Sequence, residues 1–213
     1  MIGSCHGDAN KTRILEAYDV VPVLQLTLLG GQAIHGCCGD ITDRYYQFEA
    51  TDKASKAVET FVVGHHCAEE FCKRLGVERP PLFNPLRATR RTAVAATPGS
   101  PAAGRAPAQD ARHPLNQEVW EAVSLICTAW GGTPPKPSGI LAKLIKEVRD
   151  YPRAALYPRK IQALNKAIIN SRDPRTIGQM QTELRAANPN MRQYDFPLIA
   201  EVLRDAGEAD IRF

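Results

Sequence analysis

Two short stretches of the chain combine histidine with cysteine, the two residue types that bind zinc most readily. The first is HGCCGD at residues 35–40, and the second is VGHHCAEEFC at residues 63–72. A structural zinc site typically takes two short ligand pairs that are separated by a loop or a hairpin. The sequence therefore predicts one zinc site that takes one ligand pair from each stretch.

The segments around these stretches predict the elements that position them. Residues 11–18 are typical of a short helix, and the alternating residues 21–29 are typical of a strand before the first stretch. Residues 44–50 and 57–64 alternate again on either side of a polar turn, which predicts a β-hairpin. The second stretch then predicts a helix that ends at Gly76. The expected order is knuckle, hairpin, helix.

This order resembles a treble-clef zinc finger. More narrowly, the run HxxCG, aromatic hairpin, VGxxCAE is similar to bacterial and phage zinc domains whose usual pattern is CxxCG, hairpin, VGCxCA. The resemblance covers about residues 33–76. It implies zinc ligands at His35, Cys38, His65 and Cys67, with histidine where the first and third ligands are usually cysteine.

Other side chains compete with this ligand set or have a simpler interpretation. Cys37, His66 and Cys72 are further donors at the same two stretches. Free cysteines often behave as small buried hydrophobic residues, so Cys72, Cys5 and Cys127 are expected in the core. An interpretation in which these histidines and cysteines bind no metal also stays open. A nucleophilic cysteine–histidine pair is disfavoured, because no third group is in an obvious place to orient the histidine.

Composition limits the class of protein. Of 213 residues, 44% are hydrophobic, which is enough to form a substantial core. No run of 18 apolar residues predicts a membrane span, and the first residues lack the basic and apolar regions of a secretory signal. Cysteines grouped beside histidines favour metal binding in a reducing compartment, so a cytoplasmic location is expected.

Composition also divides the chain into three parts. Residues 84–113 are rich in alanine, proline, glycine and arginine without apolar periodicity, which predicts a flexible linker. Residues 1–83 and 114–213 are then expected to be independent modules. The predicted fold class is α+β, with a small treble-clef zinc domain followed by a linker and an all-α helical domain.

Apolar residues at helical spacing run through the C-terminal part, for which we find no family resemblance. The stripes lie at residues 119–130, 140–148, 161–169, 177–184 and 198–203. Ser138 is a candidate N-cap of the second helix, and Gly207 is expected to end the last. The chain contains no Gly-rich phosphate loop, no HExxH motif and no GxSxG motif, so common enzyme fingerprints are absent.

Positive charge is concentrated in the helical part. Residues 138–175 contain nine basic and three acidic side chains, a local balance of +6. Because lysine and arginine neutralise phosphates, this excess predicts nucleic-acid binding. The candidate contacts are Lys143, Lys146, Arg149, Arg153, Arg159 and Lys160. The alternative is the ordinary solvated face of amphipathic helices.

The sequence therefore predicts a zinc-binding adaptor or regulatory protein with structural zinc and no enzymatic activity. Its expected partner is DNA, RNA or a nucleic-acid-processing protein. Binding to a membrane is not expected. A protein–protein interaction module that binds no nucleic acid is one alternative. A metal-dependent nuclease of the HNH type, with His65 or His66 in its site, is another. It is disfavoured because AEEFCKRLG supplies no second histidine or asparagine.

Overall fold

A computed structural model describes residues 2–86 and 112–213. The predicted linker falls mainly on residues 87–111, which lie outside the described residues. Strands dominate the first described range and helices the second, so the predicted α+β class is confirmed. None of the helices in the described ranges has the length and apolar character needed to cross a membrane.

Residues 2–86 contain two helices and six strands. In chain order they are α1 (Asp8–Ala17), β1 (Tyr18–Thr27), β2 (Ile34–Gly36), β3 (Gly39–Ile41), β4 (Arg44–Asp52), β5 (Val58–Val63), α2 (His65–Leu75) and β6 (Leu82–Phe83). The predicted strands, hairpin and helices are all found close to their expected positions. The last of these helices ends at Gly76, which has the predicted left-handed conformation with φ 65°.

Two sheets are formed from these strands. The larger has the order β5-β4-β1-β6, with β1 antiparallel to β4 and β6 parallel to β1. Strands β2 and β3 form a separate two-stranded hairpin, which is inserted between β1 and β4. The backbone N–H of Cys37, in the turn of this hairpin, donates to the carbonyl of Val62 at 2.8 Å. This bond attaches the hairpin to β5 close to the start of α2.

Strand β1 is irregular near its middle. Its register with β4 shifts between Pro22 and Leu24. Proline has no N–H for a strand ladder and is therefore found at bulges and sheet edges. The Pro22 carbonyl accepts a hydrogen bond of 2.9 Å from Nη1 of Arg149, which lies in the C-terminal part of the chain.

Five helices form the C-terminal part. They are α3 (Pro114–Ala129), α4 (Ile140–Asp150), α5 (Pro158–Ile169), α6 (Ile177–Ala187) and α7 (Pro197–Asp205). The five predicted helices are confirmed, and Gly207 follows the last with φ 71°. The prediction for Ser138 is wrong: Gly139 is the N-cap of α4, and no side chain caps that helix. Gly139 turns back to Lys136, because its N–H donates to that carbonyl at 2.9 Å.

The larger sheet is packed on both faces. Because alternate residues of a strand point to opposite faces, Tyr46 and Phe48 of β4 pack with Phe61 and Phe71 in one cluster. Tyr45, on the other face of β4, belongs to a larger cluster that also holds the helices of the C-terminal part. The two parts of the chain therefore share one hydrophobic interior.

Phe83 of β6 lies at the centre of this shared interior. Its ring centroid is 5.7 Å from that of Trp120 on α3 and 5.4 Å from that of Tyr194. The side chain is fully buried. The division at residues 83–84 and 113–114 stays a prediction, and the contacts of Phe83 supply a way to test it.

The end of α3 predicts a difference between two neighbouring glycines. Gly131 and Gly132 both have positive φ, at 73° and 81°, and their N–H groups donate to Thr128 and Cys127. A Cβ on Gly131 meets no atom within 4 Å, whereas one on Gly132 would overlap Cδ2 of the buried Leu28. We expect Gly131→Ala to lower the free energy of unfolding by about 1 kcal/mol, from backbone strain alone. Gly132→Ala should cost about 1–3 kcal/mol more, because it also overpacks the contact with the loop after β1.

Urea denaturation of the two alanine variants measures this difference directly. Each variant has the same added methyl group and a similar backbone conformation, so the comparison isolates the contact with Leu28. Equal losses in the two variants would contradict the close approach of α3 to that loop.

Candidate metal centre

Three cysteine sulfurs from distant parts of the chain lie close together. Sγ of Cys38 is 3.1 Å from Sγ of Cys5 and 3.7 Å from Sγ of Cys67. All three sulfurs lie within 4.8 Å of one another, and in the described part of the chain these residues are the group able to hold a metal ion. We call Cys5, Cys38 and Cys67, together with the adjacent Cys37, the thiol cluster.

Local structure brings these residues together. Cys37 and Cys38 form the turn between β2 and β3, where Gly39 takes φ 120°, a conformation that side chains disfavour. Cys67 lies in the first turn of α2, directly after β5. The Cys37 N–H donates a hydrogen bond to the carbonyl of Val62 on β5. This bond holds the β2–β3 turn beside the start of α2.

Cys5 reaches the cluster from the segment that precedes α1. The Ile2 N–H donates to Oε2 of Glu59 on β5 at 2.9 Å, which fixes this segment against the sheet. Cys5 is fully buried, as expected from the sequence. Its place among other sulfurs was missed, because Cys5 is 32 residues from Cys37 and no local spacing connects them.

Cys37 forms a disulfide with Cys5, and the two Cα atoms are 5.8 Å apart. Its sulfur is also 3.4 Å from Sγ of Cys38. Cys37 therefore adjoins the group of three sulfurs through its disulfide to Cys5, whereas Cys38 and Cys67 are free thiols.

Burial and neighbouring groups act on the pKa of the Cys38 thiol in opposite directions. Desolvation raises the pKa of the Cys38 thiol, and neighbouring Cys67 raises it further, whereas the Cys5 backbone and the Lys11 ammonium lower it. Lys11 is only 7% exposed, which is unusual for a lysine. Cys67 lies in the first turn of α2, where backbone N–H groups lack partners within the helix. The net effect in the metal-free cluster is a raised pKa of the Cys38 thiol.

The two histidines of the predicted ligand set lie outside this group of sulfurs. His35 is exposed on β2 and pairs across the hairpin with Asp40, with Nδ1 and Oδ1 2.9 Å apart. His65 Nδ1 lies 3.4 Å from Oη of the buried Tyr46, and Nε2 lies 3.4 Å from Oε1 of Glu69. The structure therefore brings together two of the four predicted ligands, Cys38 and Cys67.

The remaining donors are also separate from the group of three sulfurs. His66 is exposed on α2. Cys72 is buried with Phe71 in the core of the N-terminal part, and burial raises the pKa of its thiol. Cys127 is buried in α3, where desolvation raises its pKa to about 12. Both cysteines pack as hydrophobic side chains, in the way the sequence predicts.

The basic side chains of α4, α5 and the loop between them are partly engaged within the chain. Lys146 pairs with Glu49, Lys160 with Glu147, and Arg149 with Asp150. The Arg159 guanidinium lies over the Tyr157 ring at 5.6 Å. Lys143 is exposed on α4 and Arg153 is exposed in the loop that follows it. Nucleic-acid binding at these six residues stays a prediction.

One family model matches almost the whole chain. Its description is "Uncharacterised conserved protein UCP028583", and it matches residues 3–209. No curated protein and no solved structure matches the chain significantly. The matched range includes the positions of both the thiol cluster and the helical part.

Proposed function

The chain belongs to this family, and we propose that its thiol cluster, when reduced, binds one zinc ion that stabilises the fold. The observation that carries the proposal is the convergence of cysteine sulfurs from three separate segments. Tetrahedral zinc with bonds of about 2.3 Å to sulfur separates its ligand sulfurs by about 3.8 Å. The distance between the Cys38 and Cys67 sulfurs is 3.7 Å, and those from Cys38 to Cys37 and Cys5 are shorter, at 3.4 and 3.1 Å.

The donor chemistry favours zinc over other common ions. Calcium and magnesium require oxygen ligands, whereas thiolates select zinc, copper(I) or iron–sulfur clusters. The nearby Lys11 ammonium and the start of α2 offset part of the negative charge that several thiolates bring to one metal.

A structural role follows from what the metal would join. Cys5 precedes α1, Cys38 lies in the β2–β3 turn and Cys67 lies in α2. One ion bound to all three ties these segments together and adds its binding free energy to the stability of the fold. In this proposal β2–β3 is the knuckle, β4–β5 the hairpin and α2 the helix of a treble clef. Cys5 is an additional ligand, which the pattern of the bacterial and phage zinc domains does not contain. The protein would then act as an adaptor or regulatory protein rather than through chemistry at the metal.

Metal analysis of the full chain tests the proposal. Protein purified with a thiol reductant and without added zinc should contain about one zinc per chain. Inductively coupled plasma mass spectrometry, which measures zinc, copper and iron in one sample, distinguishes the three candidate metals. Reduced protein that holds no metal, and takes none up from added zinc, would contradict the proposal. Copper or iron in place of zinc would contradict its choice of ion.

A further inference from the structure

We infer that Cys37 is the fourth ligand of this metal and that the Cys5–Cys37 disulfide is the alternative, metal-free state of the same site. The inference rests on the proposed zinc site and adds its complete ligand set and its regulation by thiol oxidation. Zinc bound by four cysteines has no open position, which is typical of structural sites. The three sulfurs of Cys5, Cys38 and Cys67 leave one position of a tetrahedron to fill.

Cys37 is the nearest remaining donor. Its sulfur is 3.4 Å from that of Cys38 and is bonded to that of Cys5, so it adjoins the group of three sulfurs. His35 is instead paired with Asp40. His65 lies against Tyr46 and Glu69. A four-sulfur site needs only the reduction of the disulfide and small rotations of side chains.

The backbone is compatible with both states. Disulfides usually join cysteines whose Cα atoms are 4.4–6.8 Å apart. The Cα atoms of Cys5 and Cys37 are 5.8 Å apart, so the bond forms where these segments already stand. Because the same two sulfurs would bind zinc in the reduced protein, the metal and the disulfide exclude each other.

Conversion of the zinc-bound state into the disulfide state uses a small-molecule disulfide as the oxidant. The Cys37 sulfur attacks one sulfur of the oxidant, and one thiolate of the oxidant leaves. The Cys5 sulfur then attacks the mixed disulfide at Cys37, and the second thiolate leaves. Two electrons pass from Cys5 and Cys37 to the oxidant, which becomes two thiols. Zinc is released as Zn²⁺, and four protons are taken up, by Cys38, Cys67 and the two thiols of the former oxidant.

Exposure allows the first step. Cys38 is exposed and Cys37 is partly exposed at the tip of the β2–β3 turn, whereas Cys5 is buried. An oxidant can therefore reach the turn from solvent, and the buried Cys5 is positioned to complete the bond from inside.

The zinc-bound state and the disulfide state connect different segments of the chain. Zinc bound to four sulfurs connects the N-terminal segment, the β2–β3 turn and α2. The disulfide connects only the first two, and it leaves Cys67 on α2 as a free thiol. Oxidation thus removes the tie to the first turn of α2, although Ala68 and Phe71 still pack that helix against the sheet.

Zinc release during oxidation tests the inference on the full chain. Reduced, zinc-loaded protein is treated with glutathione disulfide, a chromophoric chelator records free zinc, and a thiol reagent counts remaining thiols. We expect about one zinc released for each pair of thiols lost, and rebinding after reduction. Tandem mass spectrometry should find Cys5 joined to Cys37 in the product.

The outcomes separate this inference from the proposed function. Zinc that binds with one equivalent and stays bound after oxidation would overturn the redox exchange and leave the zinc site intact. Reduced protein that never binds zinc would overturn both. Release with a disulfide between other cysteines would overturn the assignment of Cys37.

Two variants supply the matched comparison. Cys37→Ser removes the proposed fourth ligand, and we expect it to weaken zinc binding at least about tenfold and to prevent the bond to Cys5. Cys72→Ala removes a buried thiol outside the cluster, and its zinc affinity and release should equal those of the wild type. Unchanged zinc affinity in Cys37→Ser would overturn the four-cysteine ligand set.

Discussion

Replacement of Cys38 and Cys67 together by serine should reduce the zinc content of the reduced protein from about one equivalent to none. Serine does not supply the thiolate that these positions would give to the metal. The Cys38 sulfur lies within 3.7 Å of each of the other three sulfurs in the cluster, and Cys67 is the ligand from α2. Metal analysis and zinc titration of the purified variant measure the loss.

The same variant should be less stable. A ligand that binds only the folded state at a thousandfold excess over its dissociation constant adds about 4 kcal/mol to the free energy of unfolding. We therefore expect a loss of about this size in urea denaturation with zinc present. The difference from wild type should shrink when a chelator removes the metal from both.

The matched control is the double variant Cys72→Ala, Cys127→Ala. It removes the same number of sulfurs, but both come from buried positions outside the cluster. It should keep one zinc, although loss of the two side chains lowers its stability. A serine variant that kept full zinc would show that the metal lies elsewhere, for example at His35 or His65.

Phe83→Ala should lower the free energy of unfolding by about 3–5 kcal/mol, the usual cost of removing a buried phenylalanine. Phe83 is 2% exposed, and its ring packs against Trp120 and Tyr194 of the C-terminal part. Its loss opens a cavity in the interior that both parts share. Urea denaturation followed by tryptophan fluorescence measures the loss, since Trp120 lies at this contact.

The number of transitions tests the division of the chain. A shared interior predicts that Phe83→Ala moves a single transition that both far-ultraviolet circular dichroism and tryptophan fluorescence report. Independent modules predict two transitions, of which one stays in place. Leu86→Ala is the control, because Leu86 is 43% exposed and its loss should change stability by about 0.5 kcal/mol or less.

Local patterns were sufficient to predict most elements. The alternation of apolar residues marks β1, β4 and β5, and the stripes at helical spacing mark the five helices of the C-terminal part. Strand β6 was not predicted, because its two residues are too few to show an alternation. Its pairing with β1 also depends on a contact between residues more than 50 positions apart, Gln25 and Leu82.

The candidate site was predicted only in part, for a related reason. Spacing between neighbouring residues identified the two stretches that contain Cys38 and Cys67. It carries no information on a ligand from another segment, so Cys5 was interpreted as a core residue. Nor does it show side-chain direction: His35 faces its cross-strand partner Asp40 rather than the sulfurs. Long-range packing, here the attachment of the first residues to β5, decides which donors meet.

The contact between Arg149 and Pro22 has a consequence for self-association. In the described residues, β6 covers the outer edge of β1 only at Gln25 and Leu26. An uncovered strand edge is a template on which another molecule can add a strand. At Pro22 there is no N–H to offer, and the carbonyl is already occupied by the Arg149 guanidinium, so an incoming strand finds neither group. Replacement of Arg149 frees this carbonyl, so an Arg149 variant should be checked for self-association before a weaker binding of phosphate is assigned to the lost charge.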